Sequence, residues 1–156
     1  MRNYIVGCGQ ITWMTDWQNP PPRELAMQDI AAAGYDGAPL HALPGETAED
    51  VAAFFARFDL KAGPGYLGAN WWDPAETDKL VEQARVMAEM HAALGCDVFF
   101  VADGGFMVKS PRGIERMALA GRPTPEDSLS PDQYKIAGEA LTRAGEAALA
   151  SGVRIC

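Results

Sequence analysis

The 156-residue chain has no run of eighteen apolar residues, which argues against a helical membrane span. It also has no basic run of five or more. Thirteen lysines and arginines are spread thinly against twenty-one aspartates and glutamates, a formal net charge of −8. A surface of that sign does not track nucleic-acid phosphates, so neither a nucleic acid nor a membrane is expected as a partner. The opening MRNYIVGCGQITW has neither the apolar segment nor the small-residue cleavage site of a secretory leader. Cys8, Cys96 and Cys156 are odd in number and far apart, which reads as reduced thiols in a cytoplasmic protein and not as a disulfide framework. Catalytic signatures are scarce too. There is no HxxxH, CxxC or clustered carboxylate–histidine set, so no metal ligand is assigned within the chain. There is no GxSxG nucleophile elbow. Gly104-Gly105 could cradle a phosphate, but ADGGFMVKS fits neither a dinucleotide fingerprint nor a P-loop, and a plain turn is the favoured reading.

What the sequence does have is alternation. Tyr4–Ile11 is an apolar strand candidate, followed by PPRELAMQDIAAAG, where Met27, Ile30, Ala31 and Gly34 form a helical stripe ending at a glycine. Ala38–His41 reads as a short strand. In ETAEDVAAFFARF, Thr47 and Asp50 have the spacing of a capping box, and Val51, Phe54, Phe55 and Phe58 form the buried face. Leu60–Leu67 is the third strand. Pro74–Leu94 is the longest helix, with Leu80, Ala84, Met87, Ala88, His91 and Leu94 on one side. That stripe reads His91 as a satisfied core or interface histidine rather than a ligand. CDVFFVADGG is a strand covered on both faces. The last helix opens at Ser130, Pro131 and Gln133, with a stripe of Tyr134, Ala137, Gly138, Leu141, Ala144, Gly145 and Ala148. Val153–Ile155 begins a fifth strand.

Strand–helix alternation predicts a parallel α/β sheet. Two architectures fit: the N-terminal half of a (β/α)8 TIM barrel, about four βα units plus a fifth strand, or an open flavodoxin-like doubly wound sheet. In either, ligands bind beyond the carboxyl ends of the strands. The residues placed there, and assigned as substrate-lining, are Trp13, Asp16, Trp17, His41, Tyr66, Asn70, Trp71, Trp72, Asp103 and Lys109. Any one tryptophan is more readily a packing residue. Four on one rim, with Asp, Asn and His among them, suggest an aromatic-walled polyol site. Residues 103–129 exceed the usual strand–helix connection and read either as a substrate-covering segment or as a surface excursion.

GCGQITWMTDW, IAAAGYDGAPL and AGEALTRAGEAALASGVRIC resemble the sugar phosphate isomerase/epimerase family, whose fold is a xylose-isomerase-like TIM barrel. AGRPTPEDSLSPDQY is similar to the corresponding approach in inosose dehydratases. The resemblance implies an enzyme, an isomerase, epimerase or dehydratase-type lyase, acting on a sugar or inositol ketone. It also implies a divalent metal (Mn, Co, Mg or Zn) in the full-length member, with enediolate chemistry. The sequence departs from the family in two places. Where relatives carry a Glu near the second strand, DGAPL has Pro39. The family's Glu, Asp, His and Glu ligands come from later strands, so no metal is expected on this chain alone. The expectation is therefore one partial barrel domain over 1–156, inactive alone, in a homo-oligomer or lacking its C-terminal half. The alternative is a non-catalytic sugar- or flavin-binding module.

Overall fold

The computed structural model describes residues 4–14, 16, 19–105 and 108–156. Four helices form where the local signals are strong. α1 (Arg23–Ala32) follows three prolines and buries Ala26, Met27 and Ile30. After β1 (Gly37–Pro39) comes α2 (Ala48–Ala56), closed at its start by the reciprocal Thr47–Asp50 capping box, with Val51, Phe54 and Phe55 buried. Such a box satisfies two orphan amides and is worth about 1 kcal/mol. α3 (Thr77–Ala93) starts three residues later than the sequence pattern suggests, because 74–76 form a turn tied by the Asp73 carboxylate. α4 (Pro131–Leu149) carries the second capping box, Ser130–Gln133. Its packed face is Ala140, Ala144 and Ala148 rather than Tyr134 and Gly138, which lie outside. These alanines meet Ala84 and Ala88 of α3, and small side chains at both surfaces let the helices approach closely.

The strands are short and all parallel. β1 pairs with β2 (Lys61–Gly63), and β3 (Tyr66–Ala69) pairs with β4 (Val98–Asp103), which pairs with β5 (Arg154–Ile155). β2 and β3 are therefore the two halves of the single strand expected over 60–67. Pro64 offers no amide, and Gly65 turns inward. A Cβ on Gly65 would stand 2.9 Å from the Leu40 carbonyl and 3.0 Å from His91 Nε2. The halves stay in one arc because the Leu40 amide donates to Gly63 O and the Phe100 amide to Gly65 O, each at 2.9 Å. The break shifts the alternation by one residue. Ala62 before it and Leu67 after it both face the helices, while Lys61, Gly63, Tyr66 and Gly68 face the other way.

The expected first strand, Tyr4–Ile11, reduces to a single parallel bridge, Gly7 to Gly37, followed by a 3-10 turn over Gln10–Trp13. Gly7 and Gly9 weaken a strand, and Tyr4 and Ile5 are exposed, so little burial supports one.

Two cores result. One joins α1, β1 and α2 around Met27, Ile30, Val51, Phe54 and Phe55. The other joins α3, α4, β4 and Val153 around Trp71 and Phe99. Full burial of each such large apolar side chain contributes about 1.5–3 kcal/mol. Both cores lie on the same, convex side of the arc. A doubly wound sheet has helices on both faces, so the flavodoxin-like alternative is set aside in favour of a segment of barrel wall.

Candidate functional site

The carboxyl ends of the strands converge on one edge, and the expected rim residues divide there. Asp103 ends β4 and is exposed; its Oδ1 accepts the Gly105 amide at 2.9 Å. That carboxylate closes the Gly104-Gly105 turn. A Cβ on Gly104 would stand 3.3 Å from the Ala69 backbone, so close approach to β3 explains the glycine without a phosphate. His41 is exposed just beyond β1, and its carbonyl accepts from Arg23 Nη1 at 3.3 Å. Arg23 itself pairs with Glu46 and stacks 3.8 Å over the Phe54 ring, which holds the His41 loop against α1. The Arg23 guanidinium beside Glu46 holds that carboxyl below its usual range. Asn70 caps a turn through its carbonyl, 3.0 Å from the Asp73 amide. Asp16 is exposed and accepts the Asn19 amide at 3.2 Å.

Among the described residues, Trp13, Trp71 and Trp72 have different surroundings. Trp71 is 2% exposed and sits in the second core, its indole N–H donating to Ala102 O at 3.0 Å. It bolts the end of β3 to β4 and has no face open to a ligand. Trp13 is half-buried against the first core, with its N–H on Asp29 Oδ2 at 2.8 Å. Trp72 remains at the edge, with a buried indole Nε1 that has no partner among the described residues. Trp17 lies outside the described residues. Tyr66 corrects the expectation differently. It opens β3 instead of following it, and it is 61% exposed on the concave face. Lys109 is exposed, bridged to Glu115 with its Nζ 3.7 Å from that carboxylate, at the base of the long loop.

Residues 112–127 of that loop are tied together by a residue that the sequence does not single out. Asp127 is 3% exposed; Arg112 Nε donates to its Oδ1 at 2.8 Å, and the Thr124 amide and hydroxyl donate to its Oδ2 at 2.8 and 2.9 Å. Arg116 Nη1 donates to the Asp127 carbonyl at 2.7 Å. Thr124-Pro125-Glu126-Asp127 has the spacing of a capping box with proline at its first position, which was the available cue. The Arg112 guanidinium holds the Asp127 carboxyl well below the ordinary carboxylate range. Its contribution is complete above the unfolded value, about 3.9, and is lost only as pH falls through the lower folded one. Asp127→Asn is accordingly expected to speed tryptic cleavage at Arg112 and Arg116 roughly tenfold at neutral pH. The main unfolding transition should stay in place; an unchanged cleavage rate would remove Asp127 as the anchor.

Between this loop, the end of β4 and the start of α4 lies a cavity of about 400 Å³. Asp103, Arg116, Asp127 and Tyr134 are among the residues that line it, with Leu119, Pro123 and Leu129 as its apolar members. Arg116 Nε is buried there with no partner among the described residues. A carboxylate acceptor, a guanidinium donor and a phenol around a half-apolar hollow suit a small hydroxylated molecule.

Among the described residues, no three of His, Cys, Asp and Glu converge to hold a metal ion. The residues at this edge therefore do not fit as a ligand set for the divalent metal that the resemblance implies. Among the described residues, no helix is long and apolar enough to cross a membrane.

The sequence matches no family model and no curated protein. The fold does match solved structures. A sugar phosphate isomerase/epimerase from Parabacteroides distasonis aligns with a TM-score of 0.60 at 14% identity, over 99% of this chain and 51% of the other. D-psicose 3-epimerase from Clostridium cellulolyticum, solved with D-tagatose, aligns with a TM-score of 0.63 at 13% identity, over 96% and 50%. D-allulose 3-epimerase from a Methylomonas species, solved with D-allulose, aligns with a TM-score of 0.59 at 20% identity, over 97% and 50%. The chain shares the fold of these structures and spans about half the length of each.

Proposed function

We propose that residues 1–156 are the N-terminal half-barrel of a sugar isomerase/epimerase. In this reading the chain supplies one wall of a polyol pocket, and strands beyond it supply the metal ligands. The cavity beside Asp103 carries the proposal: it lies at the carboxyl end of a barrel strand, where such folds keep their sites, and its polar groups suit hydroxyls. A divalent metal bound by the rest of the enzyme would supply Lewis-acid polarisation of a sugar or inositol ketone, which acidifies the C–H α to the carbonyl. This chain's part is to bind and orient. Asp103 accepts from one hydroxyl, and Tyr134 covers the ring. Return of the proton elsewhere gives isomerisation or epimerisation. Loss of a β-hydroxyl gives the dehydration suggested by the likeness of 120–134 to inosose dehydratases. Three free cysteines suit a reducing cytoplasm.

On this reading, the purified chain binds D-allulose or D-tagatose weakly and converts neither. The experiment follows both sugars by chromatography with Mn²⁺ or Co²⁺ present, and follows binding by saturation-transfer NMR. Binding that is lost in Tyr134→Ala, without turnover, is the expected result. Turnover by the 156-residue chain would overturn the half-enzyme reading, and binding indifferent to Tyr134 would overturn the pocket.

A further inference from the structure

Every residue that lines the cavity of about 400 Å³ lies between Asp103 and Tyr134. Its walls come from β4, the long loop and α4 alone, so its charge can be counted within one strand–loop–helix unit. The charged members are Asp103, Arg116 and Asp127. Asp127 is already neutralised by Arg112, whose Nε donates to Oδ1 and whose Nη2 donates to Oδ2. Arg116 is not. Among the described residues no carboxylate lies within 4.0 Å of its guanidinium. The remaining residues of the chain, 1–3, 15, 17–18 and 106–107, include no Asp or Glu. Its one side-chain bond runs from Nη1 to the Asp127 carbonyl at 2.7 Å, a neutral acceptor. Nε is buried, which leaves Nη2 as the accessible nitrogen without a partner among the described residues. The backbone beneath it is fixed as well, with the Arg116 amide donating to Val108 O at 3.2 Å.

We propose that this cavity takes a polyol bearing one carboxylate, a sugar acid of the uronate type, with its acid group on Arg116. A half-buried guanidinium without a counter-charge loses hydration and gains little in return, and a carboxylate restores the balance through a charge-assisted hydrogen bond. The count favours a carboxylate over a phosphate ester. A phosphate brings about two negative charges at neutral pH, whereas one cation is unmatched and Asp103 lines the same cavity. Asp103 also sets the orientation: it repels the acid group and accepts from hydroxyls. This inference rests on the sugar-binding reading of the cavity and adds to it the charge of the ligand.

Saturation-transfer NMR titrations with D-glucuronate, D-glucose and D-glucose 6-phosphate test it, because the three share a ring and differ only in the group at its exocyclic carbon. At neutral pH and low salt, glucuronate is expected to bind about tenfold more tightly than glucose, and more tightly than the phosphate. Salt at about 0.5 M should remove most of that advantage. Arg116→Met should bring glucuronate down to the level of glucose, while Arg116→Lys, which keeps the charge, should retain a preference. Circular dichroism checks that both variants are folded, and the comparison of ligands on the unaltered chain decides the matter without them. Equal binding of glucuronate and glucose, tighter binding of the phosphate, or a preference that survives in folded Arg116→Met would each overturn the proposal. Binding of D-allulose without binding of glucuronate would overturn this inference and leave the sugar-binding reading in place. Failure of every sugar to bind would remove both.

Discussion

Replacing Trp71 with alanine is expected to lower the free energy of unfolding by about 3–5 kcal/mol. The indole is 2% exposed in the second core, where its neighbours include Leu80, Ala84, Ala88, Phe99 and Ala140. Alanines held on two packed helices cannot move in to fill the space, so a cavity remains and the loss stays near the top of the range. The N–H is a separate part of the effect. It donates to Ala102 O at 3.0 Å and joins the end of β3 to β4. Trp71→Phe keeps much of the apolar volume but forfeits that bond, so a smaller loss of about 1–3 kcal/mol is expected. Urea unfolding of both variants measures this. A cost below 1 kcal/mol for the alanine variant would return Trp71 to the exposed rim where the sequence pattern puts it.

The second large effect belongs to His91. Its ring is fully buried; Nε2 accepts the Gly65 amide at 2.9 Å, and Nδ1 lies 2.7 Å from Met87 O. That arrangement requires neutral imidazole with its proton on Nδ1. A second proton on Nε2 would set two donors against each other. Burial pushes the His91 pKa below its ordinary value, only partly offset by the Met87 carbonyl. Because the folded value is depressed, the stabilisation is fully present above the unfolded pKa of about 6.5 and fades as pH falls through the lower folded one. His91→Ala leaves the Gly65 amide unpaired in the core and opens a cavity, and should cost about 3 kcal/mol at neutral pH. His91→Gln offers an amide oxygen in place of Nε2, so it should recover part of the loss and flatten the stability profile between pH 7 and 5. Superposed profiles for wild type and His91→Gln would sink the assignment.

The sequence discloses those features whose cause is local. Thr47 with Asp50 and Ser130 with Gln133 mark helix starts because a capping box is written within four residues, and both form as expected. Val51, Phe54 and Phe55 are recognisable as a buried face for the same reason. The core role of His91 could be inferred from its stripe, but its partner could not, since Gly65 lies 26 residues away. The same distance hides the interruption at Pro64, and with it the inward direction of Tyr66. The place of Asp103 at the carboxyl end of β4 was legible because that strand is unmistakable. Trp71 was misplaced because adjacent tryptophans in one turn carry no sign of which is the bolt and which is the rim. Asp127 and Arg116 escaped notice because 3-10 helices of three and four residues leave no periodic stripe. The family likeness in the opening and closing segments anticipated the barrel-type fold, and the solved structures match it.

Pro64 can be regarded as a frameshift written into a strand. Upstream of it, odd-numbered positions look into the concavity; downstream, even-numbered ones do. Any transfer of residues between this chain and another barrel must count that extra position. A grafted segment crossing residues 63–66 without it would turn every side chain beyond the join to the opposite face. The third strand thus sets two reading frames for the arc, and the buried imidazole of His91 keeps them in register.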